Sequence, residues 1–145
     1  MVTAFLLDAN VLVGLHYEFH EAHANAQQWF ENLHGRPWAT CPLTEAGFVR
    51  IVSNPKFSEY PADVAEALAM VSALTRLPGH IFWPADVAFE EAIAPLRHRL
   101  FGHRQVTDAY LLGLTIKNKG RLVTLDRGIE MLAGIEFAPY VTLLV

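Results

Sequence analysis

The chain has 145 residues, of which 52% are hydrophobic and 18% charged, and this balance excludes an intrinsically disordered protein. Its single cysteine, Cys41, excludes an internal disulfide and a thiolate metal site, so a reducing cytoplasm is the expected compartment. The net charge of -4 lacks the basic excess typical of nucleic-acid-binding proteins, although an acidic total can contain a basic patch. No apolar run is long enough to predict a membrane span.

The predicted elements alternate between strands and helices along the chain. Residues 2–7 are almost continuously apolar, which is typical of a strand buried on both faces of a parallel sheet. Further strands are predicted at residues 38–41, 81–83, 121–124 and 141–145. Helices are predicted at residues 21–32, 64–74, 87–100 and 107–117, with Asp63 as a cap and Pro95 as a break. This order predicts one domain over residues 1–145, an α/β fold with helices on both faces of a mostly parallel central sheet.

Four acidic residues occupy comparable positions in this pattern. Asp8 directly follows the first strand, and Asp126 lies two residues beyond Thr124 at the end of another. Glu45 and Asp108 each fall in the first turn of a helix, where the helix dipole favours a negative side chain. Ligands bind beyond the carboxyl ends of parallel strands, so we expect all four carboxylates at one edge of the sheet.

Clustered carboxylates repel one another and therefore require cations. Magnesium and manganese prefer oxygen ligands, and either ion can activate water for the cleavage of a phosphodiester. Taken one at a time, three of the acids also have a purely structural interpretation. Asp8 can cap a helix beginning near Val11, Glu45 can complement a helix dipole, and Asp126 can begin a turn. Asp108 is harder to explain, because the rest of its helix is apolar.

Four motifs together resemble the PIN-domain nucleases, and among them the VapC-type toxins of bacterial toxin–antitoxin pairs. The motifs are FLLDANVL at residues 5–12, TEAGFVR at 44–50, VTDAYLL at 106–112 and LVTLD at 122–126. Their order and spacing extend over nearly the whole chain. The resemblance implies a three-layer α/β/α sandwich and a magnesium- or manganese-dependent endoribonuclease that cleaves transfer or ribosomal RNA. It also implies a homodimer and a cognate antitoxin whose tail presents a basic side chain to the acidic pocket.

The same resemblance implies roles for individual residues. Asp8 and Asp108 would be the principal metal ligands, and Glu45 and Asp126 would complete the site directly or through water. A second group of residues would orient those carboxylates: Asn10, Thr107 and Thr124.

The segment at residues 97–105 is the most basic part of the chain and leads directly to Asp108. We expect it to contact RNA phosphates through Arg97, Arg99, His103 and Arg104. The alternative is a helix end whose cations complement the dipole, followed by a solvated loop. A separate apolar set is expected in the core or in a dimer interface: Leu68, Met70, Val71 and Leu74.

The main competing function is a catalytically silent regulatory module that uses the acidic pocket only to bind a nucleic acid or a partner. A receiver domain would need a phosphorylatable aspartate on a central strand and a later lysine, and the sequence offers neither in a recognisable place. A phosphatase with an aspartate nucleophile would need a second acid two residues after Asp8, where Asn10 stands.

Overall fold

The structure is a computed structural model that describes residues 2–144, and its centre is a five-stranded sheet. The strands are β1 (Phe5–Leu7), β2 (Trp38–Thr40), β3 (His80–Phe82), β4 (Arg121–Thr124) and β5 (Val141–Leu143). They lie in the order β3-β2-β1-β4-β5, and every pairing between them is parallel. The central position of β1 explains why its sequence is apolar throughout.

Helices connect the strands. They are α1 (Ala9–His16), α2 (His23–Glu31), α3 (Pro42–Val52), α4 (Val64–Leu74), α5 (Phe89–Ile93), α6 (Val106–Lys117) and α7 (Arg127–Phe137). Short 3-10 segments follow α5 at Ala94–Arg99, precede α6 at His103–Gln105 and precede β5 at Ala138–Tyr140. No helix within residues 2–144 is long and apolar enough to cross a membrane.

Successive residues of β1 and β4 point to opposite layers of helices. Leu6 and Leu122 pack into one core with side chains from α5, α6 and α7. Leu7 and Val123 pack into the other core with side chains from α1, α3 and α4. The sheet is therefore covered on both faces, and the predicted three-layer α/β/α fold is confirmed.

Several predicted boundaries are confirmed. Asp63 caps α4, since its Oδ1 accepts a hydrogen bond of 2.8 Å from the backbone N–H of Glu66. The predicted break at Pro95 is also present, because α5 ends at Ile93 and a 3-10 segment follows.

Other boundaries differ from the prediction. The first strand starts at Phe5 instead of residue 2, and the last one ends at Leu143, with Val145 outside the described residues. Helix α7 was not predicted at all. Its sequence contains Gly128 and Gly134, and Gly134 interrupts the helix with a φ of 60°.

Candidate active site

Asp8 is held by hydrogen bonds at the carboxyl end of β1. Its Oδ1 accepts a 2.8 Å bond from the backbone N–H of Ala9, which caps α1. Its Oδ2 accepts a 2.9 Å bond from the hydroxyl of Thr124, at the end of the neighbouring strand β4. The side chain is only 8% exposed, and burial raises the pKa of its carboxyl against the opposing effect of these two bonds. Asp8 is thus fixed in orientation while its charge is poorly solvated.

Thr124 also fixes Asp126. Its buried hydroxyl accepts a 3.0 Å hydrogen bond from the backbone N–H of Asp126 while donating to Asp8. The carboxylate of Asp126 caps α7 by accepting a 2.7 Å bond from the N–H of Gly128. The negative charge of Asp126 raises the pKa of Asp8, so the two carboxylates are electrostatic neighbours. One threonine therefore connects both acids.

Asp108 completes a group of three carboxylates. It lies half-buried in the first turn of α6, a helix whose later residues are almost all buried. Its pKa rises to about 6, mainly through burial and then through the negative charges of Asp8 and Asp126. The structure thus brings Asp8, Asp108 and Asp126 together from three separate parts of the chain.

Glu45 lies one strand away from this group, in the first turn of α3 after β2. Its Oε2 accepts a 2.6 Å hydrogen bond from the hydroxyl of Thr40, the last residue of β2. Helix α3 also approaches α1 closely, because a Cβ at Gly47 would lie 2.9 Å from the Cβ of Ala9. This close packing of α3 on α1 keeps the helix start that carries Glu45 near the one that follows Asp8.

Within residues 2–144, none of the three acids forms an ion pair. The ion pairs found across residues 2–144 all lie elsewhere: Arg97–Glu90, Arg99–Glu136 and Lys117–Glu91. Uncompensated carboxylates of this kind fit a divalent cation. No three His, Cys, Asp or Glu side chains within residues 2–144 form a group that could by itself hold a metal ion. Magnesium typically keeps several waters beside one or two protein carboxylates, so it does not require a group of three.

The three residues predicted to orient the acids lie in different environments. Thr124 contacts Asp8, as described. Asn10 is exposed and lines a polar cavity of about 500 Å³ that also contains Asp126. Thr107 is exposed and lines an apolar cavity of about 400 Å³. Asp126 thus lines the polar cavity itself, whereas the apolar cavity is lined by the residue next to Asp108.

The apolar cavity has an aromatic wall. The ring of Phe89 lies nearly parallel to that of Tyr110, with an angle of 8° and a centroid distance of 6.1 Å. Tyr110 is fixed because its hydroxyl donates a 2.8 Å hydrogen bond to the carbonyl of Val87. The remaining walls come from Pro42, Leu43, Ala85, Val106 and Thr107.

The four basic residues that were predicted to contact RNA lie in two different environments. Arg97 forms an exposed ion pair with Glu90, and Arg99 lies within 3.8 Å of Glu136 near the end of α7. His103 and Arg104 are exposed in the 3-10 segment directly before α6, so they lie at the same end of that helix as Asp108.

Sequence reasoning missed three residues that the structure places at or beside the site. Arg127 lines the polar cavity with Asp126, and its position directly after a candidate ligand was a usable signal. Thr40 and His80 form a hydrogen-bonded group with Glu45. Nothing in the sequence indicates that contact, because 40 residues separate Thr40 from His80.

Comparison with known proteins shows the family to which the chain belongs. The family model described as "PIN domain" matches residues 5–135. The chain belongs to the PIN-domain family. Ribonuclease VapC39 of Mycobacterium tuberculosis is 46% identical to this PIN domain over 121 residues, which are 83% of this chain and 87% of the relative. Ribonuclease VapC38 of the same species is 44% identical over 128 residues, 88% of this chain and 89% of the relative.

These relatives place this PIN domain in the VapC group, and the predicted family is confirmed. A crystal structure of VapBC2 from Rickettsia felis, bound to a DNA fragment from their promoter, superimposes with a TM-score of 0.63. The match covers 89% of this chain and 92% of that one at 13% sequence identity, and so it shows the fold alone.

Asp108→Asn should stabilise the metal-free PIN domain at neutral and alkaline pH. The pKa of Asp108 is about 6 in the folded protein, against 3.8 for an ordinary aspartate, so the folded state loses stability as the pH rises through this interval. We expect a thermal midpoint a few degrees above wild type at about pH 8, and no difference at about pH 4, where the carboxyl is largely protonated in the folded state. Glu59→Gln, at an exposed carboxylate, is the control. Equal midpoints of wild type and Asp108→Asn at about pH 8 would contradict the raised pKa of Asp108, which arises first from burial and then from the neighbouring carboxylates.

Proposed function

We propose that this chain is a divalent-metal-dependent endoribonuclease that acts as the toxin of a toxin–antitoxin pair. The observation that carries this proposal is the group formed by Asp8, Asp108 and Asp126, which lies at one edge of the sheet and forms no ion pair with a cation of residues 2–144. The relatives named as ribonucleases support the activity, because they match most of the chain. As a toxin acting on cellular RNA, the protein would work in the cytoplasm.

The residues present define how a metal would be held. Asp8 and Asp108 would bind the ion directly, and Asp126 and Glu45 would bind it directly or through water. A bound magnesium or manganese ion would lower the pKa of a bound water and neutralise charge on the scissile phosphate. Thr124 would keep one oxygen of Asp8 occupied, so that the carboxylate presents its remaining lone pairs in a fixed direction.

The surroundings of the acids suit a single-stranded RNA. Bases of an unpaired loop can stack on aromatic side chains, and Phe89 offers a half-exposed ring beside the site. The backbone of the strand would face cations, and Arg127, His103 and Arg104 are exposed around the acidic edge. Loops of transfer RNA and ribosomal RNA both have this character, and we propose them as the substrate class.

Purified protein should cleave such RNA when manganese or magnesium is supplied and should stop when a chelator is added. Asp8→Asn and Asp108→Asn should each lower the rate by about 100-fold or more, since each removes a charged ligand. Glu59→Gln, far from the acidic group in sequence and exposed, should cleave like wild type. Cleavage ends mapped by sequencing would identify the site in the RNA. If all four proteins left RNA intact, a catalytically silent binding module would be the better interpretation.

Expression of the chain without an antitoxin should arrest bacterial growth. Asp108→Ala should relieve the arrest at equal protein level, because it removes one of the three clustered carboxylates. We also expect an antitoxin to restore growth by placing a basic side chain among the uncompensated acids. Growth and protein level would be followed after induction. Equal arrest by wild type and Asp108→Ala would contradict a nuclease toxin.

We also propose that a second copy of the chain covers the face formed by α3 and α4. This face has an apolar cavity of about 450 Å³ that includes Leu68 and Val71, residues predicted for the core or a dimer interface. Leu68 is 56% exposed and Val64, one turn earlier, is 57% exposed. Burial of exposed aliphatic side chains is the main driving force for homodimer formation.

Leu68→Asp should therefore convert a dimer into a monomer. The new charge would be buried without a partner in the dimer, whereas in the monomer it would be solvated. The matched control is Ile135→Asp, at an aliphatic side chain on α7 that is 96% exposed and lies on the other side of the sheet. Light scattering after size exclusion gives the mass of each protein. A wild-type monomer, or a Leu68→Asp dimer, would contradict this interface.

A further inference from the structure

A buried threonine connects Glu45 to a histidine on the neighbouring strand. The hydroxyl of Thr40 lies 2.6 Å from Oε2 of Glu45 and 2.8 Å from Nε2 of His80. Thr40 is only 1% exposed, so water does not compete for its hydroxyl. Both distances are those of well-formed hydrogen bonds.

The hydrogens in this chain of three residues are determined by their chemistry. A hydroxyl has one hydrogen, and an ionised carboxylate can only accept. Thr40 therefore donates its hydrogen to Glu45 and accepts a hydrogen bond from His80. The imidazole of His80 must carry its hydrogen on Nε2, the nitrogen that faces Thr40.

His80 is held in place by contacts with the buried residue Trp38. It is the first residue of β3 and pairs in register with Trp38, and the edge of its ring packs on that indole at a centroid distance of 4.8 Å. Trp38 is 1% exposed, and its indole N–H donates a 2.9 Å hydrogen bond to the carbonyl of Pro78. The turn before His80 is equally constrained, because Gly79 has a φ of +85° and lies against the backbone of Arg36. The imidazole thus contacts the buried indole of Trp38 from the edge strand β3.

Glu45 needs such support more than the aspartates do. A glutamate has one more rotatable bond than an aspartate and loses more rotamer freedom when it is ordered. Asp8 and Asp126 are already fixed by backbone N–H groups at helix starts. For Glu45, the bond from Thr40 to Oε2 is the side-chain hydrogen bond found within residues 2–144, and Oε1 takes no part in it.

We propose that His80, acting through Thr40, is a positioning residue that holds Glu45 in the orientation required for RNA cleavage. The proposal rests on the proposed nuclease function, since it assigns Glu45 a role in that reaction. His80 itself does not touch the reacting atoms. It orients the Thr40 hydroxyl so that its single hydrogen is directed to Glu45.

The first test uses the metal-free protein and requires no activity. Nitrogen-15 NMR of the imidazole at about pH 8 should show His80 with its hydrogen on Nε2. Thr40→Val, which keeps the shape of the side chain and removes the hydroxyl, should shift the ring toward the other tautomer, whereas Thr40→Ser should not. A wild-type ring with its hydrogen on Nδ1 would overturn the proposal.

The second test compares variants at His80 in RNA cleavage. His80→Leu removes the donor, and His80→Gln retains an N–H at a similar distance from the backbone. We expect His80→Leu to lower kcat, or to raise the manganese concentration for half-maximal rate, by about 10- to 100-fold with little change in KM for RNA. His80→Gln should recover most of this loss. The positioning role would be overturned if His80→Leu cleaved RNA at the wild-type rate. It would also be overturned if His80→Gln lost as much activity as His80→Leu.

A double variant decides whether the effect passes through Glu45. In a Glu45→Gln background, His80→Leu should cause no more than about a twofold further loss, because the group that it orients is already altered. An additive loss would overturn the proposal. If His80→Leu fails to fold, Thr40→Val against Thr40→Ser provides the same comparison. A wild type that cleaves no RNA would refute the proposed function itself, whereas cleavage that is indifferent to Thr40 and His80 refutes only this inference.

Discussion

The hydrogen bond between Thr124 and Asp8 is the contact on which the arrangement of the site depends. It joins the ends of two adjacent parallel strands, β1 and β4, although 116 residues separate its partners. The same hydroxyl accepts from the backbone of Asp126 and thereby sets the direction in which the chain leaves β4. Parallel strands end at a common edge, so a short side chain at one end can orient acids from both. Threonine suits this position because its hydroxyl donates and accepts at once, and its branched side chain favours a strand.

The acidic group that results is a cost to the fold. Burial and mutual repulsion raise the pKa values of Asp8 and Asp108, so their ionised forms are less favourable here than in water. The two compact cores, which include Leu6 and Leu7 on opposite faces of β1, supply the stability that offsets this repulsion. The clustered carboxylates lower the stability of the fold, although the proposed function requires them to lie close together. A bound divalent cation would attract each carboxylate and so offset the repulsion between them.

Much of this arrangement was predictable from the sequence, because the informative residues lie at the ends of elements. Asp8 and Asp126 had competing interpretations as caps and as ligands, and the structure shows that capping does not exclude them from the acidic group. A cap uses one carboxylate oxygen and fixes the other in direction, so the two roles reinforce each other. The contact between Thr40 and His80 was not predictable, since pairing across 40 residues depends on strand register. Helix α7 was missed because two glycines within it weaken the helical pattern.

The charge of the molecule bears on how an RNA would approach it. A net charge of -4 and a cluster of acids oppose binding of a polyanion, so local cations must outweigh the acids at short range. Arg97 and Arg99 each lie near a glutamate, which would reduce the positive potential that they offer to an RNA. His103 and Arg104 precede Asp108, and Arg127 lines a cavity with Asp126, so basic residues lie next to two of the three acids along the chain. Under the proposed function, divalent ions would remove the remaining repulsion at the centre, and metal binding would then favour RNA binding as well as cleavage. In this arrangement metal and RNA would bind cooperatively, since each reduces the electrostatic cost of the other.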